Sequence, residues 1–339
     1  MDNYNRLLLI VFFIGLISMP MHGQTKLSAQ SIMKFLNVGV GARAVGMGDS
    51  FITNGDDVSV AFWNPAGLGH LTGIHTMIEM NRWISDIQQY SFAASTDLGV
   101  YGVLGVTFTM MDYGEIHGTT IDIVSASSGA FEYVETGNVN VTNMAIGVLY
   151  ARAISNQFSI GGQLRYVYSG LGSNLIQSVG TPEMLDNNLG ALAFDLGTRF
   201  NTEFNDLTFS MSLRNFSREV RYPRMSQGYY LPLIFSIGFS IDAASMVMQE
   251  NTVHSLIVSI NGLHPMDYAE KMNVGAEYGY NRQFYLRGGY KFNYSLESFT
   301  TGLGVRYPLS DDEHLQFDYS YTAMRYFDGV HRISVSSHF

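Results

Sequence analysis

The sequence predicts an all-β protein: a 14-stranded antiparallel transmembrane β-barrel with an N-terminal plug, or hatch, segment in the lumen. Three observations predict it. Segments of about ten residues alternate apolar and polar side chains through to the end of the chain. The connections between them alternate short and long. A glycine- and aromatic-rich stretch, 35–71, precedes them all and suits neither a helix nor a sheet of its own.

The alternation is clearest near the end of the chain. In 269–280, Met272, Val274, Ala276, Tyr278 and Tyr280 share one face, while Lys271, Asn273 and Glu277 share the other. Segments 284–294 and 315–323 repeat the pattern, with Arg287 and Lys291, then Gln316 and Asp318, on the polar side. The same template gives strands at 74–83, 88–97, 99–110, 141–152, 157–168, 189–200, 206–216, 230–242, 252–262, 270–280, 283–294, 298–308, 313–323 and 329–339. The long connections 111–140, 169–188 and 217–229 then fall at one end of a barrel. The short ones, 98, 154–156, 201–205, 281–282 and 309–312, fall at the other, and only 243–251 is long for that side. This parity places both termini in the periplasm and the long loops outside a bacterial outer membrane.

Composition agrees. The 339 residues carry 13% aromatics, 35 glycines and only 14% charged residues, which suits a wall apolar outside and polar inside. A net charge of -10 without Lys/Arg clusters excludes a nucleic-acid partner. With no cysteine there is no disulfide framework and no thiolate metal site. Arg6, the apolar run 7–19 and the break at 20–23 form a signal peptide, so the expected divisions are 1–23 signal, 24–73 hatch and 74–339 barrel.

The hatch carries a family resemblance. Phe35-Leu36, the run Gly41-Ala42-Arg43-Ala44-Val45-Gly46-Met47-Gly48-Asp49, the pair Asp56-Asp57 and Trp63-Asn64-Pro65-Ala66-Gly67-Leu68 resemble the N-terminal signature of the PorV/PorQ family. That family is associated with the type IX secretion system of Bacteroidota-like bacteria and is related to the FadL-type transporters of hydrophobic compounds. The resemblance implies a fourteen-stranded barrel with an N-terminal plug. It also implies work as a secretion accessory that binds exported proteins, through cargo C-terminal domains or translocon subunits, at its external loops. The alternative within the same superfamily is a FadL-like transporter, with a hydrophobic ligand or lipid in the lumen.

Candidate site residues follow from this reading. Small inward residues in the middle strands (Ala145, Gly147, Ala151, Ser159, Gly161, Ala191, Ala193, Gly197, Ser236, Gly238 and Ser240) leave volume for the hatch. Arg165, Arg199, Arg214, Arg287, Lys291 and Arg306 are lumen cations available to Asp195, Glu277, Asp318 or hatch acids. Within the hatch, Arg43 is expected to clamp Asp49, Asp56 or Asp57. Gly46 and Gly48 let backbone approach the wall, and Asn64-Pro65 forms a turn whose amide bonds neighbouring backbone or a ligand. Pro232, inside an alternating segment, marks either a kink opening the wall sideways or simply the outer rim. Ile121, Val124, Phe131 and Tyr133 in one long loop, and Arg221, Tyr222, Met225 and Tyr229 in another, are candidate partner-binding residues. No GxGxxG, HExxH, GxSxG or calcium-loop spacing occurs, so the expectation is a non-enzyme with no cofactor and no metal.

Overall fold

The computed structural model describes residues 31–121, 133–177, 182–202, 204, 206–222, 226–247, 253–310 and 312–339. The expected signal peptide and the first residues of the expected hatch lie outside them. Sixteen strands follow one another: β1 (Ile74–Arg82), β2 (Gln88–Asp97), β3 (Val103–Asp112), β4 (His117–Ile121), β5 (Tyr133–Asn138), β6 (Thr142–Ala153), β7 (Phe158–Gln177) and β8 (Pro182–Asn201). The second half holds β9 (Thr208–Ser217), β10 (Ile234–Asp242), β11 (His254–Pro265), β12 (Lys271–Tyr280), β13 (Phe284–Phe292), β14 (Glu297–Pro308), β15 (His314–Met324) and β16 (Val330–His338).

Fourteen of these close into one antiparallel barrel, with β1 pairing β16 from His75↔His338 to Arg82↔His331. The remaining two, β4 and β5, form a separate hairpin between β3 and β6. Side chains alternate strictly: in β12 Asn273, Gly275 and Glu277 are buried, while Tyr278 and Tyr280 face outward. Exposed Ile78, Ile146, Leu164, Leu192, Leu286, Leu303 and Ile333 lie on the outer surface around the barrel. Period two, broken only locally where the ladders shift register, is what gives one wall two chemistries.

Three expectations are corrected. β7 and β8 run on as a paired ribbon, Ser173↔Asp186 to Gln177↔Pro182, through most of the stretch 169–188 expected to be loop. β3 starts at Val103, because Gly99 and Gly102 take φ of 63° and 95° in the turn before it. β10 starts at Ile234, and Pro232 precedes it.

Residues 31–73 are enclosed by this barrel. They form α1 (Ala42–Gly46) and 3-10 turns at Lys34–Asn37, Val58–Phe62 and Pro65–His70. Their polar backbone groups meet inward side chains all round the ring: Gly41 N donates to Glu79 of β1, Ser159 of β7 to Ala66 O, Ser212 of β9 to Trp63 O, Ser259 of β11 to Ser50 O and Thr300 of β14 to Gly46 O. A segment with so little regular structure would otherwise bury unpaired carbonyls.

Candidate functional site

The small wall residues sit where the enclosed segment presses closest. A methyl group added at Gly197 would overlap Asn64 Oδ1, and one at Gly161 would overlap the Pro65 backbone. On the other side of the lumen, Gly275 and Gly289 leave room for the backbone of Met47 and Gly48, and Gly46 lies against Gly302. Asn64 caps the Pro65–His70 turn by accepting from Ala66 N, and its Nδ2 donates to Ile52 O (2.8 Å) and Thr198 O (3.1 Å). Asn64 is fully buried and its amide is engaged by backbone, which seats the enclosed segment against β8.

Arg43 is the centre of a buried charge network. Its guanidinium bonds Glu277 of β12 at 2.8 and 2.6 Å and Asp56 at 2.8 and 3.3 Å, with Asp57 at 3.6 Å. Glu277 continues to Arg287 of β13 (2.5 Å), and Arg287 to Asp318 of β15 (2.6 Å). Of the three acids offered to Arg43, Asp56 and Asp57 meet it and Asp49 goes elsewhere. Held at φ 62°, it turns to Lys291 of β13 at 2.5 Å, which also holds Glu297 at 2.7 Å. Asp56 edges a recess of about 250 Å³ at the short-turn end, its side chain 57% exposed. The surrounding wall desolvates it only in part, and the Arg43 guanidinium holds the Asp56 carboxyl well below the usual carboxylate range. Asp57 instead accepts from Ser59 N and caps the Val58–Phe62 turn.

The other lumen cations divide. Arg165 pairs Asp195 at 2.8 Å, but Arg199 donates to Thr53 O, Arg214 to Phe62 O and Arg306 to Gln316. Those three grip carbonyls and an amide in place of the acids available to them. Arg214 also stacks on Trp63, 5.1 Å from the ring. Glu79, Glu297, Asp267, Lys34 and Arg332 join the interior although sequence patterning did not single them out. Lys34 and Ser31 both bond buried Asp267, in the connection between β11 and β12.

Toward the long-loop end the lining changes character. Met111, Ala145, Val167, Leu189, Ala191 and Ala193 face inward from β3, β6, β7 and β8 and pack on Met33, Phe35 and Leu231. Trp83, Ile87, Tyr113 and Tyr222 extend this apolar chamber toward the mouth. Below it, a cavity of about 20 Å³, the size of one water, lies among Phe35, Val38, Phe62, Gln89, Arg165 and Arg214.

Beside the chamber the wall itself is interrupted. β9 bulges opposite Asp195, with Asn215 at φ 63°, and Leu233 N bonds back to Leu231 O around Pro232. Side chains close the gap: Asn215 Nδ2 donates to Pro232 O (2.8 Å), and Asp195 Oδ1 accepts from Asn215 N (2.6 Å). Inside, Ile32 N donates to Tyr230 O. Pro232 is buried and lies two residues before the start of β10, at that strand's long-loop end.

Of the candidate loop residues, Tyr133 opens β5 and is 74% exposed; Ile121 closes β4. Arg221 bonds Glu219, and Tyr222 packs edge-on to Tyr229 and inward on the chamber. Val124, Phe131 and Met225 lie outside the described residues.

No family model matches the sequence, and no curated relative does. Solved structures do match the fold. The CymD monoaromatic hydrocarbon channel superposes with TM-score 0.54 at 12% identity, covering 88% of this chain and 96% of that one. The Pseudomonas putida toluene transporter TodX gives 0.54 at 10% identity over 92% and 98%. A Pseudomonas aeruginosa FadL homologue gives 0.53 at 10% identity over 88% and 98%. At such identities the likeness is one of architecture: this chain has the closed fourteen-stranded fold of the FadL-like channels.

Proposed function

We propose that this protein is a non-enzymatic outer-membrane barrel that admits a hydrophobic small molecule from its long-loop end, with the enclosed segment as its stopper. One observation carries the reading: toward the long loops the inward faces of β3, β6, β7 and β8 carry Met111, Ala145, Val167, Leu189, Ala191 and Ala193, with Thr109, Asn143 and Ser169 as the polar groups among them, and among the described residues Met33 and Phe35 of the enclosed segment pack on them. A pore for ions or sugars needs polar groups there; an apolar chamber with few polar groups suits a hydrophobic ligand. The likeness of its fold to the CymD monoaromatic hydrocarbon channel and the toluene transporter TodX supports it. The test is uptake of a radiolabelled monoaromatic hydrocarbon by outer-membrane-bearing cells. Cells producing the protein should take it up faster than cells without it, and Ala191→Arg, which puts a charge in the chamber, should return uptake to background. Equal uptake by wild type and variant would overturn the reading.

A second reading, a PorV/PorQ-type accessory of type IX secretion, is favoured by the N-terminal signature and by the exposed β4–β5 hairpin with Tyr133 at its start. Deleting residues 119–133 separates the two. It should abolish capture of secreted cargo by a cargo binder and leave hydrocarbon uptake intact in a transporter.

A further inference from the structure

The outer wall carries a groove of about 500 Å³ over β6 to β10 that the enclosed segment does not use. Its sides are Tyr150, Ile160, Leu196, Met211, Leu213 and Phe235, and its floor is Gly162, which faces outward where its neighbours carry bulky side chains. Arg152 lies two residues along the same face of β6 from Tyr150 and pairs across the ladder with Ile160. It is exposed and has no carboxylate partner among the described residues. Among the described outward-facing positions of the barrel strands the Lys and Arg residues are Arg82 and Arg152, and they stand at opposite ends: Arg82 at the long-loop end, Arg152 at the short-turn end. Tyr101 lies beside Arg152, its carbonyl bonded by Tyr150 OH at 2.5 Å and its ring 72% exposed.

We infer that this face is the seat of one anionic phospholipid, with its phosphate at Arg152 and one acyl chain along the groove over Gly162. The chemistry is complementary at both ends. A guanidinium without an acid partner at the edge of an apolar band matches a phosphodiester, and a glycine-floored trough matches an unbranched chain. Tyr101 and Tyr150 supply amphipathic rings at the level between them. The inference rests on the reading of the outer wall as lipid-facing. Protein that stays in solution without detergent would defeat that reading, whereas protein that inserts in bilayers but keeps no lipid defeats only this one.

The test is native mass spectrometry of the detergent-purified protein, offered dioleoyl-phosphatidylglycerol or the matching dioleoylglycerol, which lacks the phosphate. Wild type should retain one phosphatidylglycerol and little dioleoylglycerol. Arg152→Gln should lower phosphatidylglycerol retention by about five-fold or more, and Arg82→Gln should leave it unchanged. Gly162→Leu, whose Cβ meets Leu196 at an ordinary 3.4 Å, should fill the groove and lower retention similarly while preserving the heat-modifiable folded band. Undiminished retention in Arg152→Gln and Gly162→Leu, or equal retention of dioleoylglycerol by wild type, would overturn the inference.

Discussion

Arg43 is the residue on which the lower half of the enclosed segment turns. It spends both edges of its guanidinium, one on wall residue Glu277 and one on Asp56 of its own segment, so no smaller cation reproduces it. Replacing it with Met should cost about 3 kcal/mol, because Glu277 is left buried with Arg287 alone. The temperature at which the folded band is lost on gels should fall, and Arg43→Lys should recover only part of the loss. Asp56 gives the interaction a pH signature. Its carboxyl is held below its ordinary value, so its stabilisation is complete above about pH 4 and is lost as pH falls further. Between pH 5 and pH 3 the unfolding temperature of wild type should therefore drop more steeply than that of Asp56→Asn. That Arg43 would clamp acids was legible in its neighbourhood of Asp49, Asp56 and Asp57. That Glu277 would be the wall partner was not, since it lies 234 residues away and nothing local fixes which inward side chain faces α1.

At the scale of elements, period two and loop parity made the barrel strands legible, because a wall with lipid on one side and lumen on the other imposes both rules along its whole length. They could not locate the ends of β7 and β8, where the ribbon continues by backbone pairing with no change of pattern to announce it. Nor could they reveal the bulge at Asn215, which depends on Asp195 across the ladder. The bulge leaves the stretch between the last β9–β10 pair, Ile234↔Arg214, and the Val220↔Tyr229 pairing joined through side chains, Asn215 Nδ2 donating to Pro232 O and Ser217 Oγ accepting from Leu231 N. Asn215→Ala removes that bridge and places a Cβ residue without a local bond at φ 63°. Amide exchange should rise at 229–233 and 215–217 and stay unchanged in β12 to β14. Asn215→Gly, which tolerates the backbone angle, should raise exchange in the same place with a smaller loss of overall stability.

Across the whole molecule the lumen has two halves held by different forces. Toward the short turns, α1 and the loop to Asp57 are fixed by ion pairs to β12 and β13 and by glycines that admit backbone against the wall at Gly275, Gly289 and Gly302. Toward the long loops, residues 31–38 rest on apolar contacts and on Ser31 and Lys34 at Asp267. Apolar contact is non-directional, so displacing residues 31–38 costs the wall chiefly the Ser31 and Lys34 bonds to Asp267 and the Ile32 bond to Tyr230 O, whereas displacing α1 would strand Arg43, Glu277 and Lys291. If passage follows the upper half alone, two engineered cross-links should differ. The natural chain has no cysteine, so each introduced pair is unambiguous. Linking Ser50→Cys to Ser259→Cys, whose parent residues meet through a 2.8 Å hydrogen bond, should leave hydrocarbon uptake unchanged. Linking Ser31→Cys to Tyr230→Cys, paired in a parallel bridge, should stop uptake until a reductant is added. Arrest by the first link with no arrest by the second would place the moving part in α1 and invert this division of the lumen.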